Sequence, residues 1–247
     1  MMMKKNKLFG SEYLVASLMV IVASVVIGWY LSRSVVISEI TLTGNVMADP
    51  DAVIQASGLK EGLSGDSIAF LDVIEKIETL PWVETAYVSL TQSGRVRIRV
   101  QEEHPMALLV DNNRSALVTD SGIVLPIVLG KRIDVPLLYG FPIAEEVSQS
   151  GKPDTLRSGY FDQAQAFLTT LRPYESLYAM ISEVMVTEAD GVVALTDEHT
   201  VRLTFGHDDF DKRIRKWQAF QSQVISEKGM DHVRSLDLRF RDQIVAR

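Results

Sequence analysis

The spacing of apolar and polar residues changes along the chain, and each change marks an element. From Tyr13 to Ser32 the sequence reads YLVASLMVIVASVVIGWYLS, without Lys, Arg, Asp or Glu. A bilayer's hydrocarbon core is about 30 Å thick and takes roughly 20 helical residues to cross. In lipid the backbone must satisfy its own hydrogen bonds, as a helix does. A transmembrane helix is therefore expected at 13–32. A buried core helix would show a polar stripe, and Ser17, Ser24 and Gly28 do not make one. The apolar core of a cleaved signal peptide is shorter, about 7–15 residues, and ends at a small-x-small site. Trp29, Tyr30 and Leu31 stand there instead, and Trp29 and Tyr30 suit a membrane–water boundary. Lys4, Lys5 and Lys7 precede the run, with Glu12 as the acid before it. The positive-inside rule then places residues 1–12 in the cytoplasm and everything after Arg33 across the membrane.

Beyond the anchor, 35–105 reads as a small α+β unit. Val36, Ser38, Ile40 and Leu42 alternate with Ile37, Glu39 and Thr41, and Gly44-Asn45 turns the chain. Asp49-Pro50 is an N-cap followed by proline at the first helical position, and Gly58 suits a left-handed stop. A short helix is expected over 50–57, with Val53 and Ile54 inward. Asp66 or Ser64 can cap a second helix, in which Phe70, Ile74 and Ile77 recur at helical spacing with Leu71 and Leu80 beside them, and Pro81 ends it. Trp82, after that proline, reads as a core plug. Ala86, Val88 and Leu90 share one face of a strand, and Ser93-Gly94 makes a hairpin turn. The return strand alternates cleanly, with Val96, Ile98 and Val100 inward and Arg95, Arg97 and Arg99 outward. Two helices on one face of a small sheet enclose one core.

Residues 106–247 read as a mostly antiparallel β unit with flanking helices. Residues 116–119 and 123–125 flank Asp120-Ser121-Gly122 as a hairpin. The stretch 135–140 is a short extended piece, expected at a sheet edge because proline cannot donate to a ladder. Residues 148–153 read as a surface loop. Asp154 can cap a helix whose Leu156, Tyr160, Ala164, Phe167 and Leu171 share a face, closed by Pro173. A meander follows. Val184 and Val186 precede the Asp190-Gly191 turn, Val193 and Leu195 precede the turn 197–199, and Val201, Leu203 and Phe205 end at Gly206. Asp208 is expected to cap a helix with the stripe Phe210, Ile214, Trp217, Phe220 and Val224, stopped at Gly229. Two last strands are expected at 233–240 and about 243–246.

Composition narrows the function. The formal net charge of −7 argues against a general nucleic-acid binder. The absence of cysteine excludes disulfides, thiolate metal sites and a Cys nucleophile. Among His104, His199, His207 and His232 no pair has the spacing of a helical zinc motif. The best catalytic-looking cluster is His207, Asp208, Asp209 and Asp211. Its acids stand at a helix start, where the dipole and the orphan N–H groups favour negative charge. Glu102-Glu103-His104 reads as a strand end before a proline. No nucleophile elbow, P-loop or zincin motif occurs, so no cofactor, metal or small-molecule substrate is expected.

Six segments carry a resemblance. Strand–Gly44-Asn45–short helix, Leu80-Pro81-Trp82-Val83 and Val100-x-Glu102-x-x-Pro105-x-Ala107 resemble a POTRA domain of the FtsQ/DivIB bacterial cell-division family. Val201-x-Leu203-x-Phe205-Gly206, a helix rich in Lys and Arg, and Leu236-Asp237-Leu238-Arg239-Phe240 with Gln243-Ile244-Val245 resemble that family's C-terminal β domain. Phe240 stands where the family commonly has Tyr. The short cytoplasmic tail is more like the FtsQ branch. The resemblance implies a single-pass inner-membrane protein with its bulk in the periplasm at the septum, without catalysis, that holds the FtsB–FtsL pair and links early to late division proteins.

A strand at the chain's end leaves a margin that can accept a partner strand. The expected contact residues are Asp237, Leu238, Arg239, Phe240, Arg241, Gln243, Ile244 and Val245, in the region where the family docks FtsB. Leu238 and Ile244 have a second reading, as core. Arg95, Arg97 and Arg99 are further candidate contacts, a basic surface toward anionic lipid or an acidic partner, or simply a solvated strand face. Two other functions fit less of the chain: an anchored POTRA factor passing unfolded chains in secretion, and a tethered hydrolase using the His207 region.

Overall fold

A computed structural model describes residues 11–31, 35–111, 114–141, 155–156, 158–198, 200–225, 233–241 and 243–247. The first element is α1 (Ser11–Leu31), a helix where one is expected. Crossing a membrane is a further matter. Among the described residues, no helix is long and apolar enough to cross one.

The small unit has the expected order: β1 (Glu39–Thr43), α2 (Pro50–Ser57), α3 (Phe70–Ile77), β2 (Val83–Leu90) and β3 (Arg95–Glu102). The sheet order is β1-β3-β2, with β1 parallel and β2 antiparallel to the central β3. The caps of α2 are those read from the sequence: the Asp49 side chain accepts from Asp51 N, and Gly58 is left-handed at φ 65°. In β3, Val96, Ile98 and Val100 are buried against Val53, Val73 and Ile77.

Three local expectations change. Ile54 and Leu71 are exposed, because the inward faces of these two-turn helices are taken by Val53 and Ser57 and by Val73 and Ile77. No side chain caps α3: Ser64 begins a separate 3-10 turn, Gly65–Ser67, and Ala69 precedes the helix. The alternation from Val36 gives only an isolated bridge to Ser64 before β1 begins at Glu39.

The large unit is a nine-stranded sheet in the order β12-β11-β10-β9-β8-β7-β4-β5-β6. Its strands are β4 (Pro105–Asp111), β5 (Arg114–Thr119), β6 (Val124–Leu125), β7 (Leu137–Tyr139), β8 (Ile181–Thr187), β9 (Gly191–Thr196), β10 (Arg202–Gly206), β11 (Ser235–Asp237) and β12 (Val245–Ala246). The helices α4 (Gly159–Leu171) and α6 (Phe210–Phe220) cover one face, and α5 (Glu175–Tyr178) is a single turn between α4 and β8. The core on that face includes Leu109, Leu138, Val184, Ala194, Leu203 and Leu236. Phe205 links the two helices, its ring centroid 4.6 Å from Phe167 and 5.9 Å from Trp217.

The strand β4, unread in the sequence, is interior. So is β7, which lies between β4 and β8 and parallel to both. The edge expected for 135–140 fails because Pro136 stands just outside the strand, where its carbonyl accepts from Leu108 N at 2.9 Å. Helix α4 begins later than expected, capped by Ser158, whose hydroxyl accepts from Phe161 N at 3.1 Å. Helix α6 follows Asp209, left-handed at φ 51° and without a side-chain cap bond, while Asp208 is engaged by Arg213. The loop 148–153, Asp154, His199, Gly229 and the side chain of Val224 lie outside what is described.

The two sheets meet over a short junction. Trp82 is buried, and its Nε1 donates to Pro126 O at 3.1 Å. Leu117 and Leu125 turn their side chains into the core of the small unit. Gly44 lies at φ 88°, and a Cβ there would sit 2.2 Å from Val100 O, so the turn after β1 needs glycine. Glu102, at the end of β3, closes the same turn. Its carboxylate accepts from the N–H groups of Val46 at 2.7 Å, Met47 at 2.8 Å and Ala48 at 2.7 Å. Bonds of this charge-assisted kind are the stronger ones. Replacing Glu102 by Ala leaves three N–H donors short of a partner and is expected to lower stability by about 2–3 kcal/mol in a urea melt, with Glu102→Gln in between.

Candidate partner-binding edge

Strand β12 is the outermost of the nine. It pairs antiparallel with β11, Leu236 opposite Ala246 and Asp237 opposite Val245, and β11 runs parallel to β10. Ser235 and Arg247 exchange both backbone bonds, at 3.0 Å each. Antiparallel pairs alternate between bonded and non-bonded positions. The N–H and C=O groups of Ala246 therefore turn away from β11, toward the open margin, and Ile244 leads into the strand two residues before it. Among the described residues no strand pairs there.

None of the described residues between β11 and β12 is in a strand, so the expected continuous run 233–240 shortens to Ser235–Asp237. The cause is local. Asp237 Oδ1 accepts from Arg239 N at 3.1 Å, the side-chain-to-backbone bond that bends a chain. Lys216 Nζ, from α6, then takes the carbonyls of Leu238, at 3.1 Å, and of Phe240.

A chain of charges braces this bend. Arg239 grips Asp237 with two prongs, Nε to Oδ1 at 3.0 Å and Nη2 to Oδ2 at 2.7 Å. Its Nη1 reaches Asp190 Oδ1 at 3.0 Å, and Asp190 Oδ2 accepts from Arg202 Nη2 at 2.9 Å. The hydrogen bond from Arg239 holds the Asp237 carboxyl below its ordinary range against the opposing effect of burial, and the same bond raises Arg239. Asp190, Arg202, Thr204, Asp237, Arg239 and Val245 line an open groove of about 560 Å³ beside the margin.

The sequence-predicted residues fall into two groups. Phe240, Arg241 and Gln243 are exposed, and Asp237, Ile244 and Val245 are half-buried. Arg239 is on the surface of the bend. Leu238 has a fully buried side chain, and its N–H extends the ladder to Thr204 O at 3.0 Å. Ile244 packs partly against the same core. Sequence reasoning missed Asp190, Arg202 and Lys216. Asp190 was legible only as a turn residue and Arg202 only as an outward position.

Arg95, Arg97 and Arg99 lie elsewhere, on the outward face of β3. The cluster at His207 is dispersed. Asp208 pairs with Arg213 at 2.6 Å, Asp209 with Lys212 at 3.6 Å and Asp211 with Arg215, while His207 Nδ1 meets Gln163 Oε1 at 3.1 Å. Among the described residues no group of His, Asp and Glu could hold a metal ion.

Two family models together match the chain over both units. The POTRA domain of FtsQ type covers residues 35–103, and the FtsQ/DivIB C-terminal related domain covers 104–247. The chain belongs to the FtsQ/DivIB family. Among curated relatives, the cell division protein FtsQ of Rhodothermus marinus is 29% identical over 229 residues, 90% of this chain and 81% of that protein. The cell division protein FtsQ of Salinibacter ruber is 26% identical over 245 residues, 96% of this chain and 91% of its own. As an FtsQ/DivIB member the chain is a cell-division protein.

The ion chain makes the margin of this FtsQ/DivIB protein sensitive to acid. A carboxyl held low in the fold stabilises it at pH above the ordinary carboxylate range, and that contribution is lost as pH falls through the folded value. Asp237→Asn is expected to cost about 0.5 kcal/mol at neutral pH, a value kept small because the pair faces solvent. The urea melts of the two proteins should converge as pH falls below the ordinary carboxylate range.

Proposed function

We propose that this chain is a membrane-anchored, non-catalytic scaffold of the division machinery, and that the margin of β12 accepts a strand from the FtsB–FtsL pair. The observation that carries the reading is the outward-turned backbone of Ala246 on an edge unpaired among the described residues. An added strand gains affinity from those groups and specificity from alternate side chains. Asp237 and Arg239 are then rim charges that set register more than affinity.

Anchoring is supported by α1. Its consecutive residues Leu18, Met19, Val20, Ile21 and Val22 are all exposed, so apolar side chains face outward all round the helix, as a lipid-facing segment requires. Tethering confines the search for partners to two dimensions and raises effective concentration. Scaffolding at the septum follows, with early and late division proteins held through one edge.

Proline tests the edge, since it removes a backbone donor. Ala246→Pro and Ile244→Pro are each expected to weaken capture of a purified FtsB–FtsL pair by about tenfold or more, the loss of an outward bond together with the clash of the ring. Ala246 is exposed, so its variant spares the core, and a thermal melt should match the parent. Undiminished capture by a folded Ala246→Pro chain sinks the proposal.

A further inference from the structure

The sheet of the small unit has two unlike faces. One is covered by α2 and α3, which pack on Val96, Ile98 and Val100. On the other, Arg95, Arg97 and Arg99 point outward from the central strand, about 6.7 Å apart, as alternate strand residues are. Their cross-strand neighbours are short on most sides. Arg97 lies between Thr41 and Ser89, and Arg99 lies between Thr43 and Tyr87. Arg97 therefore stands clear of its neighbours, while Glu39 flanks Arg95 and Tyr87 flanks Arg99, and the three arginines form a ridge along the strand.

Charge on the ridge is only partly balanced. Arg95 Nε meets Glu39 Oε2 at 2.7 Å. The Arg99 guanidinium stacks 5.1 Å from the centre of the half-exposed Tyr87 ring, which leaves its charge in place. Among the described residues no acid forms an ion pair with Arg97 or Arg99. The chain as a whole is acidic, at −7.

We propose that this arginine ridge rests on anionic lipid headgroups of the bilayer that holds α1, so that the small unit lies with its bare sheet face toward the membrane. The inference depends on the anchoring reading above. Three observations select a lipid surface. The three arginines are exposed in a line on one sheet face, with Thr41, Thr43 and Ser89 short beside them, so a planar surface can meet them together. Arginine's planar fork matches phosphate oxygens two at a time. The tether is also short: Thr41, the register partner of Arg97, lies ten residues beyond Leu31, so it stays within about 36 Å of the end of α1 even along a fully extended chain. Basic residues beside a membrane segment are held to anionic lipid within a Debye length of its surface.

The chain has no cysteine, so a single label can be placed by substitution. Ser89→Cys puts a dye beside Arg97, and Asp72→Cys puts one on exposed α3, away from the ridge. The full chain is reconstituted in nanodiscs of phosphatidylcholine, with or without about one-third phosphatidylglycerol, carrying a headgroup-attached quencher. The Ser89 label should be quenched about twofold or more in the anionic discs, and the effect should fade in about 0.5 M salt as screening sets in. The variant R95Q/R97Q/R99Q should behave in anionic discs as the parent does in neutral ones, and the Asp72 label should not respond. A chain that is not retained by the discs overturns the anchor, and this inference with it. A retained chain whose Ser89 label ignores lipid charge or the triple variant overturns the inference alone. So does a triple variant with unchanged quenching that loses FtsB–FtsL capture, since the ridge would then serve a protein partner.

Discussion

An open sheet must end somewhere, and each end leaves backbone donors and acceptors without a strand to pair with. This molecule treats its ends differently. At β6 the margin is closed by its own chain: Ile123 bridges Thr155, and Leu156 N donates to Gly122 O at 2.7 Å. In the small sheet, the edge at β2 is blunted where Ala86 N donates to Glu78 Oε1 at 2.9 Å. At β12 none of the described residues plays that part. Under the proposed reading an added strand replaces water at those groups, so each new backbone bond contributes only about 1 kcal/mol net. Affinity then depends on how little ordering the margin still needs when the partner binds.

The margin is ordered in advance from two directions. From above, α6 places adjacent side chains to opposite ends: Trp217 goes into the core under the sheet, while Lys216 reaches the carbonyls of Leu238 and Phe240. From the side, Arg239 joins the bend after β11 to the turn between β8 and β9 through Asp190. Leu236 and Leu238 are both fully buried beneath it. A two-residue strand held by its neighbours alone would fray. The packed helix and the forked arginine hold the bend after β11, the strand on which β12 pairs. The ion chain therefore matters more for geometry than for its share of the fold's stability, which solvent keeps small.

Where structure was legible in the sequence, a local rule was sufficient. The limits of α2 follow from Asp49-Pro50 and Gly58, and both faces of β3 follow from strict alternation. Strand β4 shows the opposite case. Ala107 and Leu109 face the core under the helices, while Leu108 packs toward the small unit. A strand buried on both faces has no alternation to read. The parallel pairing of β10 with β11 is likewise encoded in no local pattern, yet it alone brings Arg202 and Asp237 to one groove. Candidate residues were found where polarity broke a pattern, at Asp237 and Arg239. Lys216 was lost among the other cations of its helix, because only the fold decides which of them meets the carbonyls of another element.

The segment Val100-x-Glu102-x-x-Pro105-x-Ala107 gains a physical meaning from these contacts. Val100 is buried, and its carbonyl is approached by Gly44 so closely that no side chain fits there. Two residues later Glu102 binds three N–H groups of the turn that leads into α2. Glu103 N donates to Trp82 O at 3.1 Å, tying in the Leu80-Pro81-Trp82-Val83 segment, whose indole in turn reaches Pro126. Pro105 opens β4, and Ala107 is fully buried in the large core. The small sheet thus ends and the large one begins within three residues, Glu102 to Pro105, with contacts locking both sides. A looser connection would let the two sheets turn about each other. This one fixes the angle between the arginine face of β3 and the margin of β12, so the orientation of one constrains the orientation of the other.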